Sequence, residues 1–144
     1  MKNPYIVGKK IYLRSPEESD VSKDWYQWFS DQNITEFLHH HMPNSISKQK
    51  TFFDSIKSSE NKLVLCICDI KNDKHIGICG LDNINWVSRS GNLSLVIGNK
   101  KYQKGLFAVE AFTLLIKCAF MKLNLNNLRS GYFENNSSSE SLHK

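Results

Sequence analysis

Residues 91–123 read GNLSLVIGNKKYQKGLFAVEAFTLLIKCAFMKL, and this stretch decides the fold. Its opening, GNLSLVIG (91–98), is a short apolar run rich in branched residues and closed by glycine, the pattern of a buried strand. A polar turn, NKKYQKG (99–105), follows. From Leu106 to Leu123 the spacing becomes helical, with Phe112, Leu115, Ile116, Ala119 and Leu123 on one face. A strand that passes through a turn into a helix leaves the first helical N–H groups without intrahelical partners. With the positive end of the macrodipole they make an anion site. Gly105 lets backbone approach a ligand, and Lys100, Lys101 and Lys104 add charge. The spacing alone suits an ordinary strand-to-helix turn with solvated lysines equally well, since a single glycine is a weak signal.

The flanking sequence supplies further elements. Lys10–Arg14 alternates as a strand, and Pro16, Ser19 and Asp20 give turn and N-cap chemistry before VSKDWYQWFSD (21–31). There Val21, Trp25, Trp28 and Phe29 share a helical face, a stripe that suits core packing. QNITEFLHHH (32–41) continues as a short helix or turn, which Pro43 ends. A serine-led cap opens a helix over KQKTFFDSIKSS (48–59), with Phe52, Phe53 and Ile56 expected inward. Strands follow at Leu63–Ile70 and His75–Trp86 around the turn KNDK, and Ser88–Gly91 turns into the strand already quoted. After the long helix come a strand at Asn127–Phe133 and a serine-capped helix in ENNSSSESLHK (134–144). The order predicts an α/β fold: one domain spanning 1–144, a mixed sheet with helices on both faces.

Composition narrows the function. A chain of 144 residues, 40% hydrophobic and 23% charged, suits one soluble globular domain. No apolar run reaches the ~20 residues of a membrane span, and MKNPYIVGKK lacks a signal-peptide core, so a cytoplasmic location without membrane contact is expected. Lysine and arginine number 19 against 14 acidic residues, a net +5. Such a balance suits a small anionic ligand or a nucleic-acid surface. The lysines are scattered and no nucleic-acid motif accompanies them, so the small anion is preferred. Of the four cysteines, Cys66 and Cys68 fall on one face of an apolar strand. No second Cys/His pair stands at zinc-site spacing, so Cys66, Cys68, Cys79 and Cys118 are expected as buried, reduced thiols and no metal is expected.

Two separated runs carry a family resemblance. IGNKKYQKGLFAVEAFTLLIKCAFMKLNLNNL (97–128) resembles the acetyl-CoA-binding segment of the GNAT superfamily of N-acetyltransferases. IYLRSPEESDVSKDWYQWFSDQNITEFL (11–38) resembles the opening strand and helix of the branch that holds the ribosomal-protein and amino-sugar acetyltransferases. The family signature is Gln or Arg, two residues, Gly, one residue, then Gly or Ala. Gln103 and Ala108 match its ends, while Leu106 stands at the central glycine and Gly105 sits one place earlier.

The resemblance implies transfer of an acetyl group from acetyl-CoA to a primary amine, by direct attack in a ternary complex. The implied acceptors are an amino-sugar nucleotide or a protein N-terminus, and acetyl-CoA is the co-substrate. Backbone at Leu95, Val96 and Ile97 is implied beside the pantetheine arm, although core strand is a sufficient role for these side chains. Gln103, Lys104, Gly105, Leu106, Phe107 and Ala108 are implied around the diphosphate, with Asn135 and Ser138 near the pantetheine end. No catalytic residue follows. Asn92 stands where many relatives keep a Glu base, and Leu142 where others keep a Tyr acid. His39, His40, His41 and Glu134 remain as candidates. Asn92 and Leu106 also favour an alternative, a non-catalytic or degenerate acyl-CoA-binding paralogue. Family members continue past the position of Lys144 with two more strands. The chain is therefore expected to lack its final hairpin and to associate into a homo-oligomer through the open edge of the 127–133 strand.

Overall fold

The computed structural model describes residues 3–20, 45–103 and 106–130. In chain order the elements are β1 (Pro4–Val7), β2 (Ile11–Arg14), α1 (Ile46–Lys57), β3 (Leu63–Asp69), β4 (His75–Asn85), β5 (Ser90–Ile97), α2 (Phe107–Met121) and β6 (Asn127–Ser130). The strands form one six-stranded sheet in sequence order. Each neighbouring pair from β1 to β5 is antiparallel, and β5 pairs with β6 in parallel. The change of direction follows from connectivity, because parallel neighbours need a crossover and α2 supplies it.

One face of the sheet meets α2. Ile11 and Leu13 on β2, Leu65 and Ile67 on β3, and Leu93, Leu95 and Ile97 on β5 all join Ala111, Phe112, Leu115 and Ala119 in a single buried cluster. The odd-numbered residues of these strands share that face because side chains alternate along a strand. Tyr12, Cys66 and Cys68 pack together on the other face. There α1 places Phe53 and Ile56 along a cleft shared with Val64. The mixed sheet with helices on both faces agrees with the expectation. The four cysteines are free and buried, and burial pushes each thiol up, most strongly at Cys66 and Cys79.

Three details depart from the sequence reading. β1 was not expected: Pro4 opens a four-residue, largely exposed edge strand, a place where proline is tolerated and no alternation is needed. Phe52 is not inward. Adjacent helical residues differ by about 100° in direction, so burial of Phe53 at 5% leaves Phe52 37% exposed. The Lys62 ammonium lies 5.4 Å from the Phe52 ring. Trp86 ends up in the β4–β5 turn rather than in β4, its indole N–H donating to the Glu60 carbonyl at 2.9 Å. Ser45 caps α1 by accepting from Lys48 N–H. The expected helices at 21–31, 32–41 and 134–144 lie outside the described residues, as do positions 131–133 of the last expected strand.

Behind β2 sits a buried ion pair. The Arg14 guanidinium donates to both carboxylate oxygens of Asp20 at 2.8 and 2.9 Å, and Glu17 N–H adds a bond of 2.7 Å. Burial alone pushes the Asp20 carboxyl up, but the Arg14 bonds, the Glu17 N–H and the nearby charges outweigh it and hold it below the ordinary range. A depressed carboxyl stabilises the fold above its unfolded value and loses that contribution as pH falls through the folded value.

Two outcomes are expected. Asp20→Asn leaves Arg14 buried beside a weaker acceptor and lowers unfolding free energy by about 3–5 kcal/mol in urea. It also removes part of the wild type's stability loss below about pH 4. A Cβ at Gly80 would overlap the Leu63 carbonyl oxygen, whereas one at Gly91 meets its nearest atoms only at 3.6 Å. Gly80→Ala is therefore expected to cost about 1–3 kcal/mol, and Gly91→Ala less than about 1 kcal/mol.

Candidate active site at the open end of β5

Among the described residues, β5 is paired along both edges at its start and along its β4 edge at its end. Gly98 and Asn99 N–H both donate to the Ile76 carbonyl, at 3.0 and 3.1 Å. Backbone groups alternate sides along a strand, so Asn92, Ser94 and Val96 turn theirs toward β4 and Leu93, Leu95 and Ile97 toward β6. The β6 register runs from Ser90↔Asn127 to Leu93↔Ser130. Beyond it, among the described residues, no strand lies beside the main chain of Leu95. The side chains of Leu95, Val96 and Ile97 are buried, so this segment offers a ligand its backbone alone.

The turn after β5 is held by polar ties. Asn99 accepts from Lys101 N–H through its side chain. Gln103 donates from Nε2 to the Ile97 carbonyl at 2.8 Å, fastening the turn to the end of the strand. Tyr102 donates its hydroxyl to Asp69 Oδ2 at 2.8 Å and accepts from Asn72 Nδ2 at 3.3 Å. Its ring stands edge-on to Phe107, centroids 4.9 Å apart. One turn into α2, the Glu110 carboxylate accepts from the main-chain N–H groups of Lys9 and Lys10. The Lys10 ammonium lies 5.7 Å from the Phe107 ring.

These ties gather the turns at 8–10, 70–74 and 98–103 around the start of α2, where Leu106 supplies no side-chain cap. The first N–H groups of α2 thus keep their capacity for an anion. Lys9, Lys10, Lys71, Lys74 and Lys101 are exposed in those same turns. No group of three His, Cys, Asp or Glu side chains at metal-binding distance occurs among the described residues.

Of the residues singled out from sequence, Leu95, Val96, Ile97, Gln103, Leu106, Phe107 and Ala108 meet at this end of β5. Leu106 is exposed, while Phe107 and Ala108 pack partly against the core. Lys104, Gly105, Asn135 and Ser138 lie outside the described residues, as do His39, His40, His41, Glu134 and Leu142. Asn92 is half-buried on the face away from α2. The sequence reading missed Tyr102, Asp69 and Glu110. Tyr102 stood in the quoted turn as its one aromatic, but nothing local marked Asp69, its partner, or Glu110, which binds the β1–β2 turn.

The sequence matches the acetyltransferase (GNAT) domain family over residues 10–144, and the chain belongs to that family. It is an acyltransferase. An uncharacterised N-acetyltransferase, p20, of Bacillus licheniformis is 25% identical over 130 residues, covering 87% of this chain and 71% of the relative. Among solved structures, the spermidine N-acetyltransferase of Vibrio cholerae in complex with CoA and spermine superposes with a TM-score of 0.84 at 18% identity, covering 94% of this chain and 79% of that one. A probable acetyltransferase gives a TM-score of 0.78 at 19% identity, covering 94% and 76%. Both likenesses establish the fold. No helix among the described residues is long and apolar enough to cross a membrane.

Tyr102→Phe keeps the packing on Phe107 and removes the bond to Asp69. The variant is expected to lose about 1–2 kcal/mol of stability. Its amides at 99–103 should exchange faster while those of β4 stay unchanged, as hydrogen exchange can resolve.

Proposed function

We propose that this chain is an N-acetyltransferase that moves the acetyl group of acetyl-CoA to a small primary amine in a ternary complex. The observation that carries the reading is the end of β5, which among the described residues has no strand beside Leu95, next to the start of α2 that no side chain caps. Main chain at Leu95–Ile97 lines a slot in which an extended pantetheine arm can lie as a strand does. The slot ends at helix N–H groups and lysines suited to a diphosphate. In this reading the main chain around Leu95, Val96 and Ile97 runs beside the arm. Gln103, Lys104, Gly105, Leu106, Phe107 and Ala108 shape the diphosphate cradle, and Asn135 and Ser138 approach the pantetheine end. Residues 1–144 act as one domain around it.

Transfer needs little beyond placement. The slot holds the thioester with its carbonyl toward a β5 N–H, which stabilises the developing oxyanion. It also removes the entropic cost of bringing amine and thioester together. On acceptors, the sequence resemblance pointed to amino-sugar nucleotides and protein N-termini. The Vibrio cholerae neighbours act on spermidine by their names, which widens the class to small amines generally.

Calorimetry with acetyl-CoA, followed by thiol release over a panel of spermidine, glucosamine and alanyl-alanine, tests the proposal. Binding with transfer to one amine supports it. Binding without any transfer favours a degenerate acyl-CoA-binding protein, and no binding places the site elsewhere. Charge reversal in Lys104→Glu is expected to weaken acetyl-CoA by about 1 kcal/mol, roughly fivefold. Gln103→Leu, which frees the turn from Ile97, is expected to raise KM for acetyl-CoA with little change in kcat.

A further inference from the structure

Two apolar side chains of the kind a fold ordinarily hides stand in the open at the β4–β5 turn. Trp86 is 49% exposed and Val87 96%, and exposed apolar surface is informative where it clusters. The Trp86 ring is nonetheless held. Its indole N–H donates to the Glu60 carbonyl at 2.9 Å, and Ile84 N–H donates to the Asn61 carbonyl at 3.0 Å. These bonds stitch the turn to the α1–β3 loop, and an open groove of about 780 Å³ runs between the two. Small-molecule sites span about 300–1,000 Å³, so the groove has room for one. It flanks the turn that leads into β5, whereas α2 begins beyond the far end of that strand. The groove is thus separate from the candidate active site.

The polar groups lining it are fixed without being used up. Asn85 Oδ1 accepts from the N–H groups of Val87 and Ser88 at 3.0 and 3.1 Å, which leaves its NH2 as a donor. Asn61 Oδ1 accepts from the Ser59 hydroxyl at 2.9 Å, which leaves a second NH2. The Asn83 carboxamide and the Glu60 carboxylate have no side-chain hydrogen bond and no ion pair among the described residues. Asn83 also stands in an unusual place. Its φ is 49°, within the bulge where the β4–β5 register shifts between Asp82 and Asn85. A bulge re-aims a side chain, and a left-handed residue other than glycine is kept at a cost in strain.

This set of groups selects a ligand class. The NH2 groups of Asn61 and Asn85 would meet a cation with their positive ends. The Glu60 carboxylate would repel an anion, and among the described residues no lysine or arginine lines the groove. A hydrocarbon would strip the amides of water without replacing their hydrogen bonds. A sugar meets each demand. Its hydroxyls both donate and accept, so they serve NH2 groups and carboxylate alike. The C–H face of a pyranose carries partial positive charge, which the negative face of an indole attracts. We propose that the groove binds a short neutral saccharide. Trp86 is its stacking platform, and Glu60, Asn61, Asn83 and Asn85 are the partners of its hydroxyls. The site stands whether or not the acetyl-transfer reading holds.

The test titrates the nitrogen-15-labelled chain with maltotriose, laminaritriose and triacetylchitotriose, read by NMR at the Trp86 indole and at the side-chain NH2 groups of Asn61, Asn83 and Asn85. At least one sugar is expected to shift these resonances saturably, with a Kd at or below about 1 mM. Trp86→Ala should weaken that sugar at least about tenfold, the scale of a truncated aromatic anchor. Trp86→Phe keeps a ring and should stay within about threefold of wild type. Asn83→Gly removes the carboxamide at a φ that glycine adopts freely. It is expected to weaken the sugar about threefold or more, and it supplies the comparison should Trp86→Ala fold poorly. Spermidine and an oligoadenylate are the cationic and anionic counterparts. Saturation of the same resonances by either, at concentrations equal to or below the sugar's, overturns the ligand class. Absence of saturable shifts with all three sugars overturns the site, as does binding undiminished in both Trp86→Ala and Asn83→Gly.

Discussion

The structure depends on β5 having to serve two neighbours of opposite direction. Its antiparallel ladder to β4 runs from Ser90 to Ile97, and its parallel ladder to β6 is described from Ser90 to Leu93. Parallel neighbours cannot be joined by a tight turn, so the chain returns through α2. Fifteen helical residues span about 22 Å, close to the ~26 Å of the eight-residue strand. The chain therefore arrives back at the start of β5, where Asn126 and Asn127 N–H donate to the Arg89 carbonyl. The end of β5 and the N-terminus of α2 then fall together by topology. No residue needs to be chosen for that coincidence.

The start of α2 must also stay near solvent, so apolar burial cannot fix it. Polar ties do this instead, and they explain β1. This weakly buried edge strand contributes little to the core, yet it meets α2 at both ends. Glu110 in the first turn is bound by N–H groups of Lys9 and Lys10. Beyond the last turn, Lys122 donates to the Tyr5 carbonyl at 3.2 Å and lies 4.0 Å from the Tyr5 ring. An anion at the first turn and a cation past the last both complement the macrodipole. The strand that the sequence reading did not announce is the strap that sets the helix over the sheet.

That contrast shows what was legible. Periodicity reports burial, so strands and helices with a buried stripe could be read from the chain, within one to three residues at most ends. β1 has no buried stripe, and Phe52 and Phe53 are indistinguishable by composition though only one can face the sheet. The ties of the candidate site join residues far apart in sequence, Glu110 to Lys9 across 101 positions and Tyr102 to Asp69 across 33. Nothing near either carboxylate in the sequence announces its partner.

The same distribution bears on how the chain's positive charge reaches a ligand. Around the start of α2, Asp69, Asp73 and Glu110 take their hydrogen bonds from tyrosine hydroxyls and main-chain N–H groups. Among the described residues, Lys9, Lys10, Lys71, Lys74 and Lys101 form no ion pair with them. Those carboxylates still subtract from the local field, but they do not immobilise the lysines that outnumber them. The ammonium groups of Lys9, Lys71, Lys74 and Lys101 sit on flexible stems at the rim, while that of Lys10 lies over the Phe107 ring. Carboxylates that take structural hydrogen bonds and exposed lysines thus share one end of the sheet without pairing in contact. Several lysines that read in the sequence as scattered are brought by the fold to this one end of the sheet.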